Sequence, residues 1–294
     1  MMAGFFSKVG GKTVNMNPNP SFTVVESLSR SKYGEPELGD DRLVITSNFV
    51  AVLDGATEAS GAHYNGLSSG QFVVKIGAQA LESLAPDSNA TIAVEKITQA
   101  VREALLEVKP DKNPNHTPCF AIVVFSAARR EIWRVGDCQY LLDGEAYNPI
   151  IQVDQITSQL RSLIVRSHLA QGKTIEDLLK DDPSQNLLVP FYRLQTALRN
   201  HPEEPFGYAA IDGTRVPERY LEVIKIPEQV KSIVLASDGY PDLRATLTDS
   251  ETVLTKILTQ DPLCYSLYLG QRGLAPGRES FDDRTYVRLE LHDY

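Results

Sequence analysis

Two apolar runs in this chain end in the same pair of residues. Phe49-Val50-Ala51-Val52-Leu53-Asp54-Gly55 and Ile233-Val234-Leu235-Ala236-Ser237-Asp238-Gly239 each bring an aspartate and a glycine to the open end of what reads as a buried strand. Three further acidic turns stand at strand boundaries: Gly39-Asp40-Asp41-Arg42, Gly136-Asp137-Cys138 and Phe281-Asp282-Asp283-Arg284. Carboxylate oxygens are hard ligands, and gathering them has one evident use, which is to hold a hard divalent cation. Four or five carboxylates in a small volume would repel one another severely unless cations neutralised them. The local reading is different, because Asp-Gly after a strand is also an ordinary turn signal. Spacing alone leaves both readings open.

The elements that must position these turns follow from hydrophobic periodicity. Phe22 to Leu28 alternates as a first strand, and Leu43 to Thr46 with Phe49 to Leu53 reads as a hairpin. Helical spacing then takes over from Asn65 to Leu84 and from Ala90 to Val108. Strands return over Pro118–Ala127, Glu131–Val135 and Cys138–Leu142, with Asp143-Gly144 as a turn. Residues 153–201 read as a mostly helical insert, either a substrate-contacting cap or structural packing. A strand and turn is expected over Phe206–Thr214, with strands over Tyr220–Ile226 and Ile233–Ala236. Short helices near Asp249–Gln260 and Pro262–Leu269 precede a closing strand, Thr285–Leu291. Strands and helices in this order do not alternate as in a doubly wound parallel sheet; they imply antiparallel sheets with helices packed outside.

Bulk properties narrow the class. The chain has 294 residues, 42% apolar and 23% charged, which suits one large soluble domain. A formal net charge of −9 with no basic block argues against nucleic acid or an anionic membrane as a partner. Cys119, Cys138 and Cys264 are odd in number and far apart, as expected of free thiols in a reducing compartment, and cytoplasmic residence is the default expectation. Residues 1–20 read as a flexible leader, leaving residues 21–294 as a single domain. Gly11-Lys12-Thr13 lacks the earlier glycine of a phosphate loop, since Phe6 stands there, and Asn115-His116-Thr117 matches a glycosylation sequon that means nothing without secretion. No Gly-x-Ser-x-Gly or Cys-x5-Arg pattern supports a serine or cysteine nucleophile.

Taken together and in order, the five acidic turns resemble those of the metal-dependent protein phosphatases of the protein phosphatase 2C type. Gly39-Asp40-Asp41-Arg42 resembles the family's Asn-Glu-Asp loop, and Phe49 to Gly55 its strand ending in Asp-Gly. Trp133 to Gln139 resembles its Val-Gly-Asp-Ser-Arg turn, Ile233 to Gly239 its Leu-Ala-Ser-Asp-Gly strand, and Ser280 to Thr285 its closing Asp-Asn-x-Thr.

The resemblance implies an α+β fold, a four-layer αββα sandwich of two antiparallel sheets flanked by helices. It implies two Mn²⁺ or Mg²⁺ ions per chain, with a weaker third. Carried over by position, Asp54 would bridge the two metals and Gly55 would offer its carbonyl; Asp238 and Asp282 would complete one shell. Asp41 would act through ordered water, and Asp137 would help hold the third metal. The implied reaction is hydrolysis of phosphoserine or phosphothreonine in a phosphoprotein substrate, with Asp54 and Asp238 as the catalytic pair and a metal-bridged hydroxide attacking phosphorus in line.

The chain departs from that pattern at Asp40, one methylene shorter than the family's glutamate, over the helical stretch 153–201, and at two further places. Ala56 stands where some members carry a histidine proposed as the acid, and Gly34 to Leu38 contains no arginine where the family grips phosphate. Arg30 and Arg42 are the nearest substitutes. The alternatives are a phosphatase-fold binding or regulatory module with weak or no catalysis, and a phosphatase of a small phosphorylated metabolite.

Overall fold

A computed structural model of the chain describes residues 6–9, 12–15, 21–56, 61–108 and 117–292. Strands β1 (Phe6–Val9) and β2 (Lys12–Asn15) pair antiparallel as a small ribbon within the stretch expected to be a leader; the rest of residues 1–20 lies outside the described residues, as do residues 115 and 116 of the sequon. Strands β3 (Phe22–Arg30), β4 (Arg42–Ile45) and β5 (Phe49–Gly55) follow, then a two-stranded ribbon of β6 (His63–Tyr64) and β7 (Leu67–Ser68). Helices α1 (Ser69–Glu82) and α2 (Ala90–Val108) lead into β8 (Phe120–Ser126), β9 (Glu131–Val135), β10 (Gln139–Leu142) and β11 (Glu145–Tyr147). The insert contains α3 (Gln152–Ala170), α4 (Ile175–Lys180) and α5 (Pro183–Gln195). The chain closes with β12 (Glu222–Lys225), β13 (Ser232–Ala236), α6 (Leu247–Gln260) and β14 (Arg284–Leu291).

Two five-stranded sheets result, with orders β11-β10-β13-β14-β3 and β12-β9-β8-β5-β4, and every pairing within them is antiparallel. The period-2 alternation of side chains explains how they stack. In β5 and β8, Val50, Val52, Ala121, Val123 and Phe125 face the other sheet, where they meet Ile233, Leu235, Val287 and Leu289. Their alternate neighbours, Ala51, Leu53, Phe120, Ile122 and Val124, pack under α1 and α2 against Phe72, Leu81 and Ile97. Beyond the first sheet, Val234, Ala236 and Tyr286 pack with Leu254 of α6. The layers are therefore helices, sheet, sheet, helix: the expected αββα sandwich. Because β5, β8 and β13 are covered on both faces, they read as continuous apolar runs.

Three local expectations are corrected. Between β5 and α1 the chain first makes the β6–β7 ribbon, so the helix begins at Ser69 rather than near Asn65; there the Ser68 hydroxyl and the Gln71 side chain form a reciprocal capping box. Residues 206–214 form no named strand, and their only β-type pairings are isolated bridges, Arg199 to Tyr208 and Phe120 to Ile211. No helix forms over Pro262–Leu269. The buried Asp261 carboxylate accepts the backbone N–H groups of Tyr265, Ser266 and Leu267, giving them an alternative to a helical ladder. Among the described residues no helix is long and apolar enough to cross a membrane.

Candidate active site

The acidic turns meet at one end of the sandwich. Asp41 immediately precedes β4, whose Arg42 pairs with Leu53 of β5, so Asp41 and Asp54 leave neighbouring strands of one sheet. Asp238 follows β13 and Asp282 precedes β14, and the Ser237 N–H donates to the Thr285 carbonyl at 3.0 Å, so these two leave neighbouring strands of the other sheet. Asp137 lies between β9 and β10, where the chain crosses from one sheet to the other. Three hydrogen bonds join the sheets at this end, one of them from the Asp40 N–H to Asp283 Oδ2 at 2.8 Å. Ser237 Oγ donates to Asp41 Oδ2 at 2.6 Å, and the Asp238 N–H donates to Asp54 Oδ2 at 3.2 Å.

The two Asp-Gly pairs turn out to be crossing points rather than tight turns. Neither Gly55 nor Gly239 has a positive φ. A Cβ on Gly55 would lie 2.4 Å from the carbonyl oxygen of Asp40, and one on Gly239 would lie 2.0 Å from that of Asp283. Each glycine thus lets the other acidic loop of its sheet pass directly across the strand end. The Asp40 loop is held in place by α1: Ser68 Oγ donates to Asp40 Oδ1, and Gln71 Nε2 donates to the carbonyls of Glu37 and Gly39.

Charge is concentrated here. Burial pushes the Asp54 carboxyl well above the usual carboxylate range, and the charges of Asp41, Asp137 and Asp282 push it further. Burial also raises Asp238, reinforced by Asp54, Asp137 and Asp282, and raises Asp41, reinforced by Asp283, Asp282 and Asp238. Asp137 is raised by burial and by Asp282, while Arg134 opposes the shift. The five side chains from five chain segments therefore feel one another's charge. Among the described residues, however, no three of them converge into a ready-made cage for an ion. The donor set is all oxygen, from carboxylates beside an unblocked backbone, which suits Mg²⁺ or Mn²⁺ in kind.

Asp282 and Asp283 are neighbours with different tasks. Asp283 is buried and fully engaged: its carboxylate accepts the Lys32 N–H at 2.7 Å, Lys32 Nζ at 3.1 Å and the Asp40 N–H at 2.8 Å. Asp282 is half-exposed, accepts the Asp283 N–H at 3.0 Å and lies 3.7 Å from Lys32 Nζ. Lys32 is a buried cation at the acidic end. Burial would lower its pKa, but Asp282, Asp283 and Asp40 outweigh that and raise it.

The two arginines singled out in the sequence are not brought into the cluster. Arg30 Nη2 is paired with Glu279 at 2.5 Å near the surface, and Arg42 is exposed on β4. His63 is exposed, its Nδ1 within 2.9 Å of the Gly61 carbonyl. Three residues that sequence reasoning passed over do reach the site: Lys32, Asp154 and Arg272. Asp154, in the first turn of α3, is raised to about 7 by burial and by the charge of Asp137, and its Oδ1 accepts Gln271 Nε2 at 2.6 Å. Asp282 is the strongest influence on the Arg272 guanidinium and, with Asp238 and Asp283, raises its pKa against the cost of burial. The helical insert therefore extends to the edge of the acidic site.

No family model and no curated protein matches the chain. Among solved structures it is similar to the serine/threonine phosphatase PstP/Ppp of Mycobacterium tuberculosis, with 16% identity and a TM-score of 0.47 over 92% of this chain and all of that one. It is also similar to the serine/threonine phosphatase Stp1 of Staphylococcus aureus, with 13% identity and a TM-score of 0.47 over 97% of this chain and all of that one. A bacterial serine phosphatase matches with 13% identity and a TM-score of 0.48 over 92% of this chain and 98% of that one. At such scores the similarity is one of outline. The sandwich itself rests on the sheet orders and the three cores, and the chemistry on the residues at its end.

Proposed function

We propose that the chain is a metal-dependent phosphomonoesterase that hydrolyses phosphoserine or phosphothreonine in a phosphoprotein. The observation that carries this reading is the assembly of Asp41, Asp54, Asp137 and Asp238, from four separate turns, into one field of raised carboxyls to which the charge of Asp282 on a fifth turn contributes. A fold does not hold like charges together at such cost without a counter-charge to receive. Asp54, Asp238 and Asp282, with the Gly55 carbonyl, are the groups that would hold Mn²⁺ or Mg²⁺; Asp41 would orient water from its place on Ser237, and Asp137 would serve a weaker third ion. When bound, the metals supply an activated water and neutralise charge on the phosphoryl oxygens.

The chain's own contribution is positional. Gly55 and Gly239 keep the strand ends unobstructed, the Asp238 N–H fixes one oxygen of Asp54, and Ser237 fixes one oxygen of Asp41, so each carboxylate keeps an oxygen free for a ligand. Ala56 supplies no proton to a leaving alkoxide. Hydrolysis of p-nitrophenyl phosphate and of a phosphothreonine peptide, measured with Mn²⁺, with EDTA and in Asp54→Asn, tests the reading. Activity should require Mn²⁺ and fall by about a hundredfold or more in the variant, the size of losing a preorganised charge-stabilising group. An inactive Mn²⁺-loaded wild type, or an Asp54→Asn rate equal to wild type, refutes it. Turnover of small phosphorylated metabolites in preference to the peptide would move the substrate class.

A further inference from the structure

Several contacts fasten the segment between α6 and β14 around Arg272. Arg161 of α3 is fully buried and donates through Nη1 to the carbonyls of Leu263, Cys264 and Gly270, while its Nη2 pairs with Asp182 at 2.6 Å. Gln271 is held through both its carbonyl, which accepts Gln185 Nε2 and the Tyr192 hydroxyl, and its side chain, which donates to Asp154. Gly273 packs so tightly on Leu263 that a Cβ would lie 2.6 Å from its carbonyl oxygen, and the Leu274 N–H donates to the Pro262 carbonyl at 2.7 Å. Arg272 stands between these anchors, and among the described residues its side chain makes no hydrogen bond and no ion pair.

The most deeply buried arginines of this molecule are committed. Arg134, Arg161, Arg199 and Arg284 are each paired with a carboxylate, and Lys32 saturates Asp283 a short distance away. A guanidinium meant only to offset the acidic turns would close onto one of them, as Lys32 does. Arg272 instead sits within the field of Asp282 and Asp238, on a backbone fixed before and after it, with all five N–H donors uncommitted. A planar fork of donors that keeps its charge at any physiological pH matches a phosphoryl group, which it can hold through two parallel hydrogen bonds.

We propose that Arg272, presented by the helical insert through Gln271, binds the phosphate of the substrate at the acidic end. The inference rests on the phosphatase reading above. It also gives the insert a task, since Arg161, Gln185 and Tyr192 of α3 and α5 fix the segment that carries this arginine.

Calorimetric titration of the Mn²⁺-loaded protein with inorganic phosphate, beside steady-state kinetics on p-nitrophenyl phosphate, tests it. Arg272→Ala should weaken phosphate binding by about tenfold or more, the size of a lost hydrogen bond between charged partners, and raise KM more than it lowers kcat. Arg272→Lys should recover part of the phosphate affinity. Mn²⁺ binding to Arg272→Ala should be as tight as in wild type or tighter, because a positive charge has left the carboxylates. Arg278→Ala, a control whose guanidinium stacks over the Tyr33 ring, should change none of these. Phosphate affinity in Arg272→Ala within about twofold of wild type, or a parallel loss of Mn²⁺ binding that marks a structural role, overturns the proposal. Should wild type fail to hydrolyse p-nitrophenyl phosphate, the phosphatase reading falls, and the phosphate titration still decides the role of Arg272.

Discussion

Asp282 and Asp283 are adjacent in sequence and chemically identical, yet the structure requires opposite responses to their removal. Asp283 accepts three hydrogen bonds, two from backbone N–H groups and one from the Lys32 ammonium, with side-chain exposures of 3% for Asp283 and 6% for Lys32. Asp283→Ala strands a buried cation, which costs about 3–5 kcal/mol. It also leaves the N–H groups of Lys32 and Asp40 without an acceptor, at about 1–3 kcal/mol each where water cannot reach them. These costs overlap, because the space left by the side chain admits water, so a net loss of about 4 kcal/mol is expected. That is a large part of the roughly 5–15 kcal/mol that holds a domain folded. Asp282→Ala removes a carboxylate whose side chain is 31% exposed and whose Lys32 contact is 3.7 Å long, so its cost is at most about 1 kcal/mol. Relief of repulsion on Asp41, Asp54 and Asp238 offsets even that. Urea unfolding of the metal-free variants, compared at equal m-values, measures both. Adding Lys32→Met to Asp283→Ala should restore part of the loss by removing the stranded charge, and the double-mutant cycle isolates that term. An Asp283→Ala cost below about 1 kcal/mol, or equal costs for the two aspartates, would refute the division of labour described here.

The other predictions concern the carboxylates and their glycines. In metal-free protein the carboxyls of Asp41, Asp54, Asp137 and Asp238 are raised, so between the ordinary carboxylate pKa of about 4 and those raised values the native chain holds more protons than the unfolded one. Stability must therefore fall as pH rises through that window, and saturating Mn²⁺ should flatten or reverse the slope; thermal melts over a pH series with and without Mn²⁺ will show whether it does. Gly55→Ala forces a Cβ to within 2.4 Å of the Asp40 carbonyl oxygen, so the strand end or the Asp40 loop must shift. It should cost about 1–3 kcal/mol and weaken Mn²⁺ binding, and a variant that matches wild type in both calorimetry and urea melts would contradict the crossing geometry.

Much of the sandwich was legible because its central strands are covered on both faces. β5, β8 and β13 bury both sets of alternate side chains, leaving unbroken apolar runs, and those of β5 and β13 lead into an Asp-Gly pair. The absence of alternating strand and helix fixed the antiparallel character in the same way. What escaped was set by distant contacts. Lys32 meets Asp283 across 251 positions, and no local pattern distinguishes it from a surface lysine. Arg272 is significant only because α3 and α5 fasten its neighbours. The missing helix over 262–269 has the same cause: its apolar spacing is adequate, but Asp261 is buried and takes the amides that a helix would need. The pairing of Arg30 with Glu279, far along the chain, was equally out of reach of any local pattern.

Lys32 has a consequence for the charge balance at this end of the fold. A cluster of carboxylates with only mobile ions to balance it could not close until those ions arrived, and the chain would depend on the metal supply while still folding. Here a tethered ammonium travels with the polypeptide and is locked onto Asp283 as the ends of β3 and β14 come together. Under the proposed function, part of the negative charge at this end is therefore balanced within the chain itself, before any ion is bound.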